Sequence, residues 1–449
     1  MNNLQAGFGR VNITPMMGIE IAGYYKVRRA EAVLDDLELN ALALACGDTK
    51  VVMMTIDHCG VKKVIMDKIR ARVAEAVKLP VEAITISATH THTGPCMRPD
   101  STDPLELEYI EFVTKRAMDV AQFALADLKP AVMGWGIGQA PRVAFVRRFR
   151  MKDGSVQTNP GVNNPNILAP IGDVDERVNV VRFNREGAED IVMVNFGNHP
   201  DVVGGNKISG DWPNFLRRTV EKVIDNTKCI FFNGAQGDVN HVNVFPKGGE
   251  MNDMFNDFDD VARGYAHARH IGHVVAGGVL QVYDKVQYVD VDSIKFTEKV
   301  VKIPSNRATA EELPEAHRIN DLHLAGKDSE LPYQGMMLTT MVAKAARMVA
   351  LENGPDFFEL YLSGITIGPL GFVGIPGEPF TGVGRGIKET EGFDMIMPVC
   401  LTNGSEGYYP MQEAYDEGGY EAGSSRFKAG VAELLIEGSQ AMLKELGGR

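Results

Sequence analysis

Apolar residues gather along this chain in short, nearly unbroken runs. Seven of them, at 51–56, 84–88, 180–183, 191–196, 229–233, 365–374 and 395–402, are rich in Val, Ile, Met and Phe. Continuous hydrophobicity over so few residues suits strands buried on both faces. Longer segments at 62–78, 105–128, 213–225, 260–284, 334–352, 380–390 and 426–446 alternate with them and read as helices. The last carries Lys444 and then Gly447-Gly448, a helix stop signal. Strands alternating with helices predict an α/β fold: a mixed, largely buried β-sheet core flanked by helices.

At 449 residues the chain has room for two domains or one large one. No repeat or low-complexity segment divides it. A polar loop at 157–172 and an acidic one at 247–260 suit the rim of a site better than a linker, because strand-like runs continue on both sides. The expectation is one large catalytic domain over 1–449.

Charge narrows the function. Lys and Arg number 46 against 59 Asp and Glu, a net charge of −13. Nucleic acid binding needs a basic surface, so it is excluded, as is a basic membrane-surface patch. Cys46, Cys59, Cys96, Cys229 and Cys400 are odd in number and form no CxxC pair, which argues against a disulfide framework and a cysteine zinc cluster. No stretch resembles a signal peptide or reaches the roughly 20 apolar residues of a membrane span. These features predict a cytoplasmic protein with a small-molecule substrate. A homo-oligomer is compatible with them.

Candidate chemistry sits where apolar runs end. The run 51–56 leads into Asp57-His58, 84–88 into Thr89-His90-Thr91-His92, 191–196 into Gly197-Asn198-His199, 229–233 into a loop ending at Asp238, and 395–402 into a loop reaching Tyr408. In α/β sheets the functional crevice lies at the carboxyl ends of strands, which is where a metal site is expected here. Side chains two apart on extended backbone share a face, so His90 and His92 point into one space. His199 repeats the strand–histidine design. Asp211 precedes Pro213 and suits a helix N-cap, or the orientation of a histidine ligand. Glu378 lies between a strand and a helix, where a carboxylate is favourable even without a metal. Met97, Phe145, Met251, Met254 and Phe255 are candidates for an apolar pocket, and more readily for core.

Taken together, these segments resemble the catalytic domain of the neutral/alkaline (non-lysosomal) ceramidase family. Gly9-Arg10-Val11-Asn12-Ile13-Thr14-Pro15 is similar to the family's opening, and SATHTHTGP at 87–95 to its histidine motif. His199 with Ser209-Gly210-Asp211, the GAQGDVN loop at 234–240, Glu378, and Tyr408 with Tyr415 and Tyr420-Glu421-Ala422 follow in the family's order. The resemblance implies one zinc ion held by His90, His199, Glu378 and Tyr408. It also implies that His92, Arg142 and Tyr420 line the substrate, with Arg147, Arg148 and Arg150 competing for the arginine's place. The sequence departs from the family at Asn240, where ceramidases carry a serine. It also ends where they continue into an immunoglobulin-like domain, and it shows no secretion signal.

These departures move the expected substrate from ceramide to a small metabolite. The expectation is a zinc-dependent hydrolase that cleaves an amide, ester or lactone by attack of zinc-bound water, without an acyl-enzyme. Asp57, His58, Asp238 and His241 are expected around the ligands or against substrate. A zinc-dependent lyase or isomerase on a sugar-like substrate, and a non-catalytic zinc-containing binding protein, are the competing readings.

Overall fold

Side chains alternate across a strand, so a strand buried on both faces must feed two cores. The computed structural model, which describes residues 4–246 and 264–447, has this arrangement. Its large sheet joins β1 (Leu4–Asn12), β2 (Glu38–Cys46), β3 (Thr49–Ile56), β4 (Ile84–Ala88), β5 (Lys129–Gln139), β6 (Arg177–Arg185), β7 (Asp190–Phe196) and β8 (Thr227–Asn233) in the order β8-β7-β6-β5-β1-β2-β3-β4. A ninth strand, Gln287–Val289, pairs with β5. A second sheet stacks β9 (Ile294–Pro304), β10 (Phe357–Ile367), β11 (Leu370–Gly374) and β12 (Met395–Val399) in sequence order.

Val52, Met54 and Ile56 of β3 pack under α1 (Lys63–Val77) and α2 (Pro104–Ala126). The intervening Val51 and Met53 face the second sheet, against Phe372, Met397 and Val399. The same division holds on β7. Val192 and Val194 pack under α3 (Asp211–Val223) and α4 (Tyr265–Val282), while Ile191 and Met193 join the inter-sheet core. The outer face of the second sheet is covered by α7 (Thr381–Lys388) and α10 (Val431–Leu446). The result is four layers: helices, large sheet, small sheet, helices. A pair of helices, α5 (Leu313–Leu324) and α6 (Gly335–Leu351), forms its own small core. It packs through α6 on α9 (Tyr420–Ser424), which follows α8 (Gln412–Glu417).

The predicted mixed α/β class is observed, with corrections. The run 365–374 is a hairpin, not one strand: β10 turns into β11 at Gly368, whose φ of +52° favours glycine. The run 395–402 stops at Val399, because Leu401 and Asn403 adopt left-handed φ values of 49° and 58°. Strands β1, β2, β5 and β9 and helix α5 were not anticipated. Of the helix expected at 260–284, residues 260–263 lie outside the described residues, as do the acidic loop 247–260, Met251, Met254 and Phe255. Among the described residues, no helix is long and apolar enough to cross a membrane.

Candidate metal centre

Three strand pairs of the two main sheets are parallel: β3 with β4, β7 with β8, and β11 with β12. Parallel partners end on the same side, so six loops leave the sheets together. Buried amides stitch them. Asn233 Nδ2 donates to the carbonyls of Thr89 and Asn198, each at 3.1 Å, and Asn403 Oδ1 accepts from the Ile86 amide at 2.9 Å. Glu378 and Tyr408 then stand side by side, because Glu378–Pro379 and Tyr408–Tyr409 pair in parallel.

The loop after β4 turns sharply at His90, whose φ is +79°. The His90 backbone amide donates to the His58 carbonyl at 2.9 Å. Its Nδ1 faces the Cys59 carbonyl. His199 Nδ1 lies 2.9 Å from the carbonyls of both Gln236 and Val239. A ring nitrogen against carbonyl oxygens must carry the hydrogen, so both imidazoles turn Nε2 inward. The two Nε2 atoms each lie 3.2 Å from Glu378 Oε2. All three side chains are buried.

Two ring lone pairs and a carboxylate oxygen repel one another unless a positive charge sits among them. In the protein alone that charge is a proton. Burial opposes it, but the Glu378 carboxylate raises the His90 imidazole well above its ordinary value. Burial favours a neutral Glu378, yet His90 and His199 hold the carboxyl well below its usual range. Burial and the Arg147 guanidinium lower His199 to about 3, so it keeps a free lone pair at neutral pH. Ligand atoms about 2.0–2.1 Å from a tetrahedral ion stand roughly 3.3 Å apart. The observed 3.2 Å edges and the donor chemistry therefore fit a divalent cation.

Around this triad the walls are polar. Burial and Glu378 keep the Tyr408 phenol protonated far above its ordinary range. The Arg147 guanidinium lies 5.2 Å from the Tyr408 ring centre, and its Nη1 lies 3.2 Å from His199 Nε2. Arg147 is held from behind by Glu421 at 2.7 Å and by the Gly237 carbonyl at 2.6 Å. Tyr420 stacks edge-on to Tyr408 with ring centres 5.6 Å apart, and its hydroxyl meets that of Tyr25 at 3.3 Å. His92 Nε2 comes within 3.3 Å of His90 Nε2, and its Nδ1 lies 3.6 Å from Asp201. Cys59, His90 and His92 form a second, overlapping ligand group. A neutral imidazole offers one lone pair, so His90 serves one ion only.

No family model and no curated protein matches this chain. Solved structures do. Neutral ceramidase from Pseudomonas aeruginosa matches with a TM-score of 0.71 at 16% identity, over 100% of this chain and 76% of that one. A ceramidase complexed with C2 matches with the same score and coverage at 15% identity. The chain has a neutral ceramidase-like fold.

The ceramidase-like fold brings His90, His92, His199, Glu378, Tyr408 and Tyr420 into one cluster, and it leaves Arg142 out. Arg142 is exposed in the turn after β5, where its backbone amide donates to Glu176. Arg147, one of the arginines competing for that place, is the one that lies beside His199. Asp57 touches no ligand side chain. It is fully buried against Arg217, at 2.6 Å, and accepts from Thr89 Oγ1 at 3.0 Å, so it anchors the His90 loop from below. Asp238 receives the Thr381 amide and hydroxyl at 2.7 and 2.9 Å and thereby caps α7. Asp211 accepts from the Val202 and Val203 amides and shapes the turn after His199 instead of orienting the ring. His241 is buried beside His267, their ring centres 5.9 Å apart. Asn240 is buried and donates to Asn159 at 3.1 Å. Met97 is core, and Phe145 is half-buried in a short strand pair with Asn240. Cys59, Asp201, Gln236 and Glu421 are members to which the sequence assigns no role, and Arg147 is one of the four arginines it leaves open.

His58 gives this centre a pH signature. Its Nδ1 accepts the Gly60 amide at 3.0 Å, and burial lowers the imidazole to about 4 from 6.5. The unfolded chain takes up that proton from about pH 6.5 downward, and the folded protein only near pH 4. Stability therefore falls as pH drops through that window, at about 1.4 kcal/mol per pH unit from this group. Urea unfolding of the wild type and His58→Phe across the window should differ by that slope. Parallel stability curves would show that His58 titrates normally.

Proposed function

We propose that this chain is a zinc-dependent hydrolase that cleaves an amide bond, or an ester or lactone, in a small polar metabolite. The observation that carries the reading is the convergence of His90 Nε2, His199 Nε2 and Glu378 Oε2 at strand ends of a ceramidase-like fold. The chain acts as one catalytic unit. His90, His199 and Glu378 hold the ion, with Tyr408 beside them as the fourth ligand. Zinc in such a site supplies Lewis acidity, activating water and polarising a carbonyl.

The remaining groups have separate tasks. Arg147 directs Nη1 toward the centre and donates to the oxygen that gains charge as the carbonyl is attacked. His92 stands beside the ligands with Asp201 behind it, as suits a group that hands a proton to the leaving nitrogen or oxygen. Tyr420 and Tyr25 line the approach. Asn240 offers an amide, not a hydroxyl, and its nitrogen is engaged with Asn159. This supports direct attack by water with no covalent intermediate. The described residues around the centre are imidazoles, phenols, a guanidinium and a carboxylate, and such a lining favours a compact polar substrate over a long acyl chain.

The test is turnover of a panel of N-acyl amino acids, esters, lactones and sugar acids by zinc-loaded protein in ¹⁸O-water. Hydrolysis places one ¹⁸O in the released acid. Product formation without label would replace this reading with a lyase or isomerase. A trapped acyl-enzyme would refute the water route.

A further inference from the structure

Behind α9, away from the metal, lies a cavity of about 380 Å³. One wall is a single face of α6, where Met337, Met341, Lys344 and Met348 follow one another at helical spacing. The opposite wall is made small by Gly419, Ala422 and Gly423. Arg347 lines the cavity and is only 8% exposed, with its guanidinium donating to the carbonyls of Gly423 and Asn306. Among the described residues, neither Arg347 nor Lys344 forms an ion pair. Arg307, at the rim, is paired with Asp356 at 3.0 Å. The single carboxylate of the lining, Glu312, accepts the Thr309 amide at 3.0 Å.

Glu312 acts electrostatically on both Arg347 and Lys344, which leaves the lining with these two cations against one carboxylate. An excess of buried positive charge is costly. The same walls carry methionines, whose unbranched thioethers adapt to aliphatic ligands. Charge at the base and a pliable apolar wall describe one class of ligand.

We propose that this cavity binds an amphipathic carboxylate with a short aliphatic tail, and that its occupancy is felt at the metal centre through α9. The route is continuous. Thr158 lines the cavity and donates to Glu421 Oε2 at 2.9 Å. Glu421 holds Arg147 at 2.7 Å, and Arg147 Nη1 lies 3.2 Å from His199 Nε2. Tyr420, next on the same helix, packs on Tyr408. Binding itself does not depend on the metal; the coupling rests on the proposed zinc site.

Octanoate, acetate and 1-octanol separate charge from tail. Calorimetric titration of the metal-free protein should show octanoate binding at least about tenfold tighter than either of the other two. Lys344→Glu, a half-buried position, should weaken octanoate at least about tenfold, whereas His199→Ala should leave it unchanged. Octanoate should shift zinc affinity about fivefold in wild type and not in Lys344→Glu. Equal binding of octanol, full binding in Lys344→Glu, or loss of binding in His199→Ala would overturn the site. An unmoved zinc affinity would overturn the coupling while leaving the hydrolase reading intact.

Discussion

His199→Ala is expected to purify with less than about a tenth of a zinc ion per chain, against about one for the wild type. Its hydrolytic rate should fall at least about a thousandfold. The argument is geometric. His199 Nε2 is one of three atoms at the centre, and the ring is held by two carbonyls at Nδ1, from Gln236 and Val239. An alanine removes the lone pair, and no neighbouring side chain replaces it. Arg147 Nη1, 3.2 Å from Nε2, is a cation and repels the metal. The cost to folding is much smaller. Two carbonyls lose a donor, which costs about 1–3 kcal/mol where water cannot reach them. Circular dichroism should therefore report a folded protein while elemental analysis reports an empty one. His92→Ala is the matched control, because its Nε2 sits beside the triad and does not complete it; it should retain zinc and lose rate. Full zinc content in His199→Ala would sink the ligand assignment.

The two histidine loops are legible because each follows an apolar strand directly. A reader who expects chemistry at carboxyl ends of strands finds His90, His92 and His199 without a structure. Glu378 and Tyr408 are different. Each lies in a loop that is unremarkable alone, and only their order along the chain marks them. Their neighbourhood comes from a two-residue parallel pairing that no pattern predicts. Arg147 shows the limit most clearly. Four arginines fall between positions 142 and 150, and all are compatible with a loop. The choice among them is made by the Arg147 amide, which donates to the Asp238 carbonyl at 3.1 Å and aims the side chain inward. Glu421 and Asp201 are invisible for the same reason: their partners are remote in sequence. The strands that escaped notice have physical excuses. β5 reads KPAVMGWGIGQ, with glycines where α4 lies close: a side chain at Gly138 would strike the Gly278 backbone. β9 reads IKFTEKVVKIP, an edge strand with charges on both faces: Glu298 pairs with Arg70 and Lys299 with Glu445.

Arg147→Met should be the most damaging single change outside the ligands, and it acts on two levels that a second substitution separates. Glu421 has no exposed surface, and Thr158 Oγ1 also donates to it at 2.9 Å. Removing the guanidinium leaves a buried carboxylate without its cation, which costs about 3–5 kcal/mol of stability. The same change removes the donor aimed at the reacting oxygen, which costs roughly 10²–10³ in kcat. The double variant Arg147→Met with Glu421→Leu eliminates the orphaned charge. It should regain most of the lost stability, because a packed apolar pair of similar volume often equals a buried ion pair. It should not regain rate, since the donor is still missing. Urea unfolding and steady-state kinetics on the same three proteins read the two effects independently. Recovery of both in the double variant would mean that Arg147 merely fills space beside His199. Recovery of stability alone places its charge in the reaction.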